Sequence, residues 1–186
     1  MSSILKVDTL QDSGGNAIIT SNGSGTFTSS LPNTGITMAD QWRLTADISS
    51  DINPISSNLE RVDDTGFNYI GTGMTVSSGA WSFPETGIYL VRFYGLILTA
   101  SINDSVFVRL RTTTDNSTYT DVSITGASAN SNSHNSSMAS EIFFDVTDTS
   151  THKLKVQVSS ISSGTVLRGD TSRNETSFTF IRLGDT

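Results

Sequence analysis

GAWSFPETGIYLVRFYGLILTA, Gly79 to Ala100, is a turn followed by the longest apolar run in the chain. Successive side chains of a strand point to opposite faces. From Ile88 to Leu98, one face would then carry Tyr89, Val91, Phe93, Gly95 and Ile97, and the other Ile88, Leu90, Arg92, Tyr94, Leu96 and Leu98. Both sets are apolar. An antiparallel strand that meets water on one side alternates cleanly, so a strand apolar on both faces has to be covered twice. One cover is the second sheet of a sandwich, and we assign the other to a neighbouring subunit. A helix is the competing assignment. Against it, Tyr, Val, Phe and Ile dominate the run, Gly95 interrupts it, and no polar stripe recurs at helical spacing.

Working outward, the same logic places short strands along the whole body. Gln41 to Ile48 alternates, with Trp42, Leu44, Ala46 and Ile48 inward and Arg43 outward. Short strands are predicted at 55–61, 67–70, 74–77, 119–125 and 165–168. Ser105 to Thr113 sets Val106, Val108 and Leu110 against Arg109 and Arg111; Ser140 to Val146 and Lys153 to Ser159 alternate in the same way. The stretch Ala127 to Ser137 is polar and of low complexity and reads as an exposed loop. Ser177 to Leu183 is again apolar on both faces, Phe178 and Phe180 against Ile181 and Leu183. With no helical pattern of useful length, the expectation is an all-β, two-sheet sandwich of nine or ten strands over residues 38–186.

Residues 1–30 predict a small β meander. Its turns, 12–16 and 22–25, are rich in Gly and Asn, which accept the backbone angles that hairpins need. So few apolar side chains cannot outweigh the ordering entropy of three short strands, so the segment has to fold against something; a disordered leader is the alternative. Residues 31–37, LPNTGIT, close a linker by their Pro, Asn and Gly content.

Composition narrows the function. There are 186 residues, no cysteine, two histidines and a net charge of −7, with 16% charged residues. Disulfides and thiolate metal sites are therefore excluded. The eleven Lys and Arg are scattered along the sequence, which argues against a basic nucleic-acid or membrane surface. No segment approaches the ~20 apolar residues of a membrane span, and no signal-peptide pattern opens the chain.

Two stretches resemble known proteins. Trp81-Ser82-Phe83-Pro84-Glu85-Thr86-Gly87-Ile88-Tyr89-Leu90-Val91, an aromatic and a Pro before Gly-x-Tyr-x-apolar, is similar to the central motif of the trimeric jelly rolls typified by tumour necrosis factor (TNF) and the globular heads of the first complement component. The closing strand Ser177-Phe178-Thr179-Phe180-Ile181-Arg182-Leu183 resembles that family's last strand, although the collagen-like stalk of the complement members is missing. The resemblance implies a TNF-like jelly roll that forms homotrimers. The opening Ile4-Leu5-Lys6-Val7-Asp8-Thr9-Leu10-Gln11, followed by Gly14-Gly15-Asn16, resembles N-terminal segments of tailed-phage structural and fibre proteins, especially those of marine and cyanobacterial hosts. That implies a virion protein whose N-terminus attaches to the particle.

On this basis the expected subunit interface is Trp81, Phe83, Tyr89, Val91, Phe93, Phe178 and Phe180, with a sugar-stacking platform as the competing role for the aromatic rings. The expected attachment residues are Ile4, Leu5, Val7, Leu10, Ile18, Ile19 and Phe27. No catalytic, metal or cofactor site is expected. His134 and His152 lack ligand spacing and read as surface residues. Asp63-Asp64 reads as loop polarity rather than a glycosidase pair. Asp104, Asp115, Asp121, Asp145 and Asp148 lack the spaced Asp run of a calcium loop. Arg168-Gly169-Asp170 matches an integrin tripeptide but is ordinary turn chemistry, and the Asn-x-Ser/Thr triplets at Asn116, Asn135 and Asn174 follow from composition. The expected function is a non-enzymatic phage virion protein. Its fibre form presents a head to a host-surface glycan or protein through loops such as 127–137. The alternative is a capsid decoration (cement) protein. A secreted cytokine-like or lectin-like module and a capsule depolymerase are the competing classes.

Overall fold

The structure, a computed structural model, describes residues 7–29 and 35–186. Among the described residues every regular element is a strand, and the chain divides into two compact units, Met1–Gly35 and Ile36–Thr186. The first unit holds an antiparallel meander of β1 (Thr9–Gln11), β2 (Ala17–Ser21) and β3 (Phe27–Ser29). Its first turn is pinned by Asp12, whose carboxylate accepts from the backbone N–H groups of Gly14 at 2.8 Å and Asn16 at 2.9 Å. Hydrogen bonds from Asn16, by side chain and backbone, hold that carboxyl below its ordinary pKa.

The second unit is a sandwich of two antiparallel sheets. Its strands are β4 (Ala39–Leu44), β5 (Leu59–Arg61), β6 (Thr75–Ser77), β7 (Ala80–Ser82), β8 (Gly87–Thr99), β9 (Ser105–Thr113), β10 (Thr120–Ser128), β11 (His134–Val146), β12 (Lys153–Ser159), β13 (Val166–Leu167) and β14 (Thr176–Gly184). One sheet runs β11-β8-β14-β4-β5, with β13 also pairing β8; the other runs β10-β9-β12-β7-β6. β8, which carries the long apolar run, is central in its sheet, paired with β11 along its whole length on one side and with β14 and β13 on the other. Gly87 opens it at φ +145°, where a Cβ would stand 2.5 Å from the Gly184 carbonyl oxygen, so only glycine lets β8 start beside the end of β14.

Between the sheets lies one aromatic-rich core. Trp81 is stacked among Trp42, Phe178 and Phe180 at ring-centroid distances of 5.1, 5.6 and 5.0 Å. Phe83 meets Tyr89 at 4.7 Å and Phe93 meets Phe178 at 5.7 Å. Leu44, Val106, Val108, Leu110, Leu154, Val156 and Val158 complete it from both sheets.

Four local expectations are corrected. Residues 127–137 are mostly strand: β10 continues to Ser128 and β11 begins at His134. Both are outermost strands of their sheets, and where they meet, the Ser123 and Ser140 hydroxyls bond at 2.6 Å; within 127–137 itself the side chains are Ala, Ser, Asn and His, so no apolar alternation marks it. Phe67 to Ile70 forms no strand beyond a bridge from Ile70 to Ala39. Ala80–Ser82, read as part of a turn, is strand β7. His152 is buried rather than on the surface, its ring 5.7 Å from Phe144 and its nitrogens bonded to Thr147 and Thr151.

Candidate functional site

The face of interest follows from the register of the first sheet. Tyr89, Val91, Phe93, Phe178 and Phe180, with Trp81 and Phe83 from the facing layer, are all buried within one chain at 0–3% exposure. These seven residues, expected at a subunit interface, therefore fill the core of a single sandwich and present nothing to a partner. The second cover that β8 needs lies on its other face. There Ile88, Leu90, Leu96 and Leu98 are partly exposed, and Arg92 and Tyr94 are exposed. Most of the large rings fill the roughly 10 Å between the sheets, while Leu and Ile side chains, with Tyr94 and Phe143, stand outside.

Register aligns this outward face into rows. Leu90 stands between Phe143 on β11 and Ile181 on β14, and Ile181 faces Ala39 on β4. One row along, Arg92 stands between Glu141 and Thr179, with Gln41 beyond; the next row is Ala139, Tyr94, Ser177 and Arg43. Phe143 is 73% exposed, the most exposed of the large hydrophobic side chains among the described residues, and Leu183 is also exposed. Arg92 lies between two shallow hollows: one of about 150 Å³ lined by Gln41, Tyr94, Ser177 and Thr179, and one of about 320 Å³ lined by Ala139, Ser140 and Glu141.

Two ion clusters close the β4–β5 end of the sheet. Arg43, read from sequence as outward, does point outward but is only 2% exposed. Its guanidinium donates to Glu60 at 2.8 Å, to Asp63 at 3.2 Å and to Asp64. Burial works against its charge, but its hydrogen bonds to Asp64 and Glu60 outweigh that and raise its pKa. The pair Asp63-Asp64 is thus a clamp on Arg43. On the core side the fully buried Asp40 carboxylate accepts from Arg61 at 2.9 Å, from Trp42 Nε1 at 2.9 Å and from the Met74 N–H at 2.7 Å.

The remaining sequence candidates are engaged locally. Asp104 accepts from Thr165 at 2.6 Å, Asp115 from Thr113 at 2.7 Å and Asp148 from Ser150 at 2.6 Å; these hydrogen bonds lower all three pKa values. Asp121 is shared by Arg109 at 3.3 Å and Arg111 at 2.8 Å. Among the described residues no group of three or more His, Cys, Asp or Glu is placed to hold a metal ion. In the Arg-Gly-Asp triplet Arg168 pairs with Glu175 at 3.0 Å and Asp170 with Arg173 at 2.8 Å, while Gly169 abuts Ala46, so the triplet is a fastened turn. Scattered cations also converge in space: Arg109, Arg111, Lys153 and Lys155 share the outward face of β9 and β12.

Of the attachment candidates, Val7, Leu10 and Phe27 are exposed by 55, 51 and 68%, and Ile18 and Ile19 are partly buried in the meander; Ile4 and Leu5 lie outside the described residues.

No protein-family model matches this sequence, and no curated protein matches it significantly. The fold does have solved counterparts. The chain is similar to Eiger TNF from S. frugiperda, with 13% identity over 82% of this chain and 96% of that one, at a TM-score of 0.61. The globular domain of zebrafish complement 1qA protein aligns at 11% identity, 81% and 99% coverage and a TM-score of 0.52. PRD1 vertex protein P5 aligns at 15% identity, 81% and 99% coverage and a TM-score of 0.52. The class is therefore an all-β jelly-roll sandwich of the TNF and complement-head type.

Proposed function

We propose that this chain is a non-enzymatic structural protein of a tailed-phage virion, a homotrimer fixed to the particle by its N-terminal unit and presenting its jelly roll to the host surface as a tail fibre or adsorption appendage. The observation that carries the reading is the outward face of β8 and β14: apolar side chains at the centre of a sheet, partly exposed in one chain, need a second protein surface. The sequence resemblance to trimeric jelly rolls supplies the copy number, and the likeness in fold to a vertex protein supports a place on a virion. Linked weak sites on three heads raise avidity without new contacts, which suits adsorption.

Capsid decoration is the second reading, and the meander favours it. Val7, Leu10 and Phe27 stay exposed on a three-stranded sheet, so that unit has apolar surface to lay on a neighbouring shell protein. Immunogold labelling of intact particles, with copy number from the same preparation, separates the two. A small set of labels confined to the tail is the result for a fibre, many copies spread over the shell is the result for decoration, and absence from purified particles overturns both.

A further inference from the structure

We propose that Arg92 of one subunit pairs with Glu141 of the next, and that this contact sets the register of the assembly; the proposal rests on the reading that copies of this chain cover the outward face of β8.

Among the described residues, every other Lys and Arg has a hydrogen-bond, ion-pair or cation–π partner in its own chain. The Arg92 side chain has none, although it stands on the outward face of the central strand, one row from the apolar row of Phe143, Leu90 and Ile181. Covering a guanidinium with protein is costly unless the cover brings an anion, so a surface that fits this face carries a carboxylate at the height of Arg92.

This chain has such a surface. Glu141 lies on β11, an outermost strand of its sheet, in the same row as Arg92, and is exposed without an ion pair of its own. Directly opposite though they are in register, the two side chains make no ion pair within a chain. A ring of copies uses two different patches at each contact, here the rim of one subunit against the face of the next. If the axis runs along the strands, rotation leaves each row at its own height, so the Glu141 rim meets the Arg92 row. Phe143, on the same rim, then comes down on the apolar row of Leu90 and Ile181. The other carboxylates of the face fit less well. Asp145 is four residues further along β11, roughly 13 Å away, and Glu60, Asp63 and Asp64 are held by Arg43.

The test is a charge swap between separately tagged chains, with assembly read by sedimentation and folding by far-UV circular dichroism. Arg92→Glu alone and Glu141→Arg alone, both at exposed positions, should keep the fold but raise the concentration for half-assembly by about a hundredfold, the scale of like charges forced together. The double variant should assemble as the wild type does. Mixing the two single variants should give heteromers, since a mixed ring regains complementary contacts at two of its three interfaces. Single variants that assemble normally overturn the pairing. A double variant that assembles while the mixture yields no heteromers also overturns it, because the pair would then act within one chain. If either reversal disturbs the fold, Arg92→Gln and Glu141→Gln replace it, with about a tenfold shift expected. A monomeric wild type in the same run overturns the underlying oligomer rather than the choice of residues.

Discussion

On the outward face of β9 and β12 stand Arg109, Arg111, Lys153, Lys155 and Gln157; on the outward face of β8 and β14 stand Ile88, Leu90, Leu96, Leu98 and Ile181. The two sheets serve one core equally and differ on their backs. The first back is satisfied within the chain: Asp121 holds the two guanidinium groups, Lys153 donates to the Thr149 carbonyl at 2.7 Å, and Lys155 sits 4.0 Å from the Tyr119 ring centroid. Its charges therefore need no partner, although Phe107 and Ile124 stay exposed on the same back. The second has an apolar row and an arginine without a partner, which the proposed cover by a second copy would satisfy. In a sandwich the inner faces determine whether the chain folds, and the outer faces determine what it meets.

That contrast sets the order of expected effects. Trp81→Ala removes the ring around which Trp42, Phe178 and Phe180 stack and should lower unfolding free energy by about 3–5 kcal/mol in urea titration. A loss below about 1 kcal/mol would mean the core is not centred there. Leu90→Asp, on the other back, should abolish assembly while costing the single chain about 1 kcal/mol; light scattering and the urea midpoint, measured together, separate the two effects. Unfolding along with dissociation would show that the face belongs to the core.

Alkaline pH probes the same core more gently. Tyr89 donates to the Glu85 carbonyl at 2.8 Å, and its burial pushes the phenol up to about 12. In the unfolded chain a tyrosine ionises near 10, so the fold favours the neutral form. That contribution is intact below about pH 10 and is lost as pH rises from about 10 to 12. Tyr89→Phe should flatten this alkaline loss relative to the wild type; equal loss in both proteins would assign it to another group. Smallest of all, Lys155→Ala on the charged back should change stability by no more than about 0.5 kcal/mol and leave assembly untouched. A larger effect there would erase the distinction between the two backs.

The sequence already displayed the need for two covers on β8, because eleven residues with no hydrophilic face admit no other reading once they are extended. It did not display which face was which. Both carry aromatic residues, and only the fold shows that Trp81, Phe178 and Phe180 converge on the interior. The edge at 127–137 was illegible for a different reason. Between Ala127 and Ser137 the side chains are Ala, Ser, Asn and His, and the apolar inward positions of β11 begin only at Met138, so the stretch has no hydrophobic period to read. Arg43 does point outward as read, but its burial depends on carboxylates about twenty residues away, Glu60, Asp63 and Asp64, which no local pattern reports. The convergence of four cations on β9 and β12 is likewise a product of strand order, invisible in the spacing of Arg109, Arg111, Lys153 and Lys155 along the chain.

The central claim, that copies of this chain cover the outward face of β8 and β14, is tested most directly by sedimentation equilibrium of the intact protein over a wide concentration range. The account predicts one species of about 60 kDa, three times the 19.9 kDa chain. A mass of 19.9 kDa that holds at every concentration would contradict it.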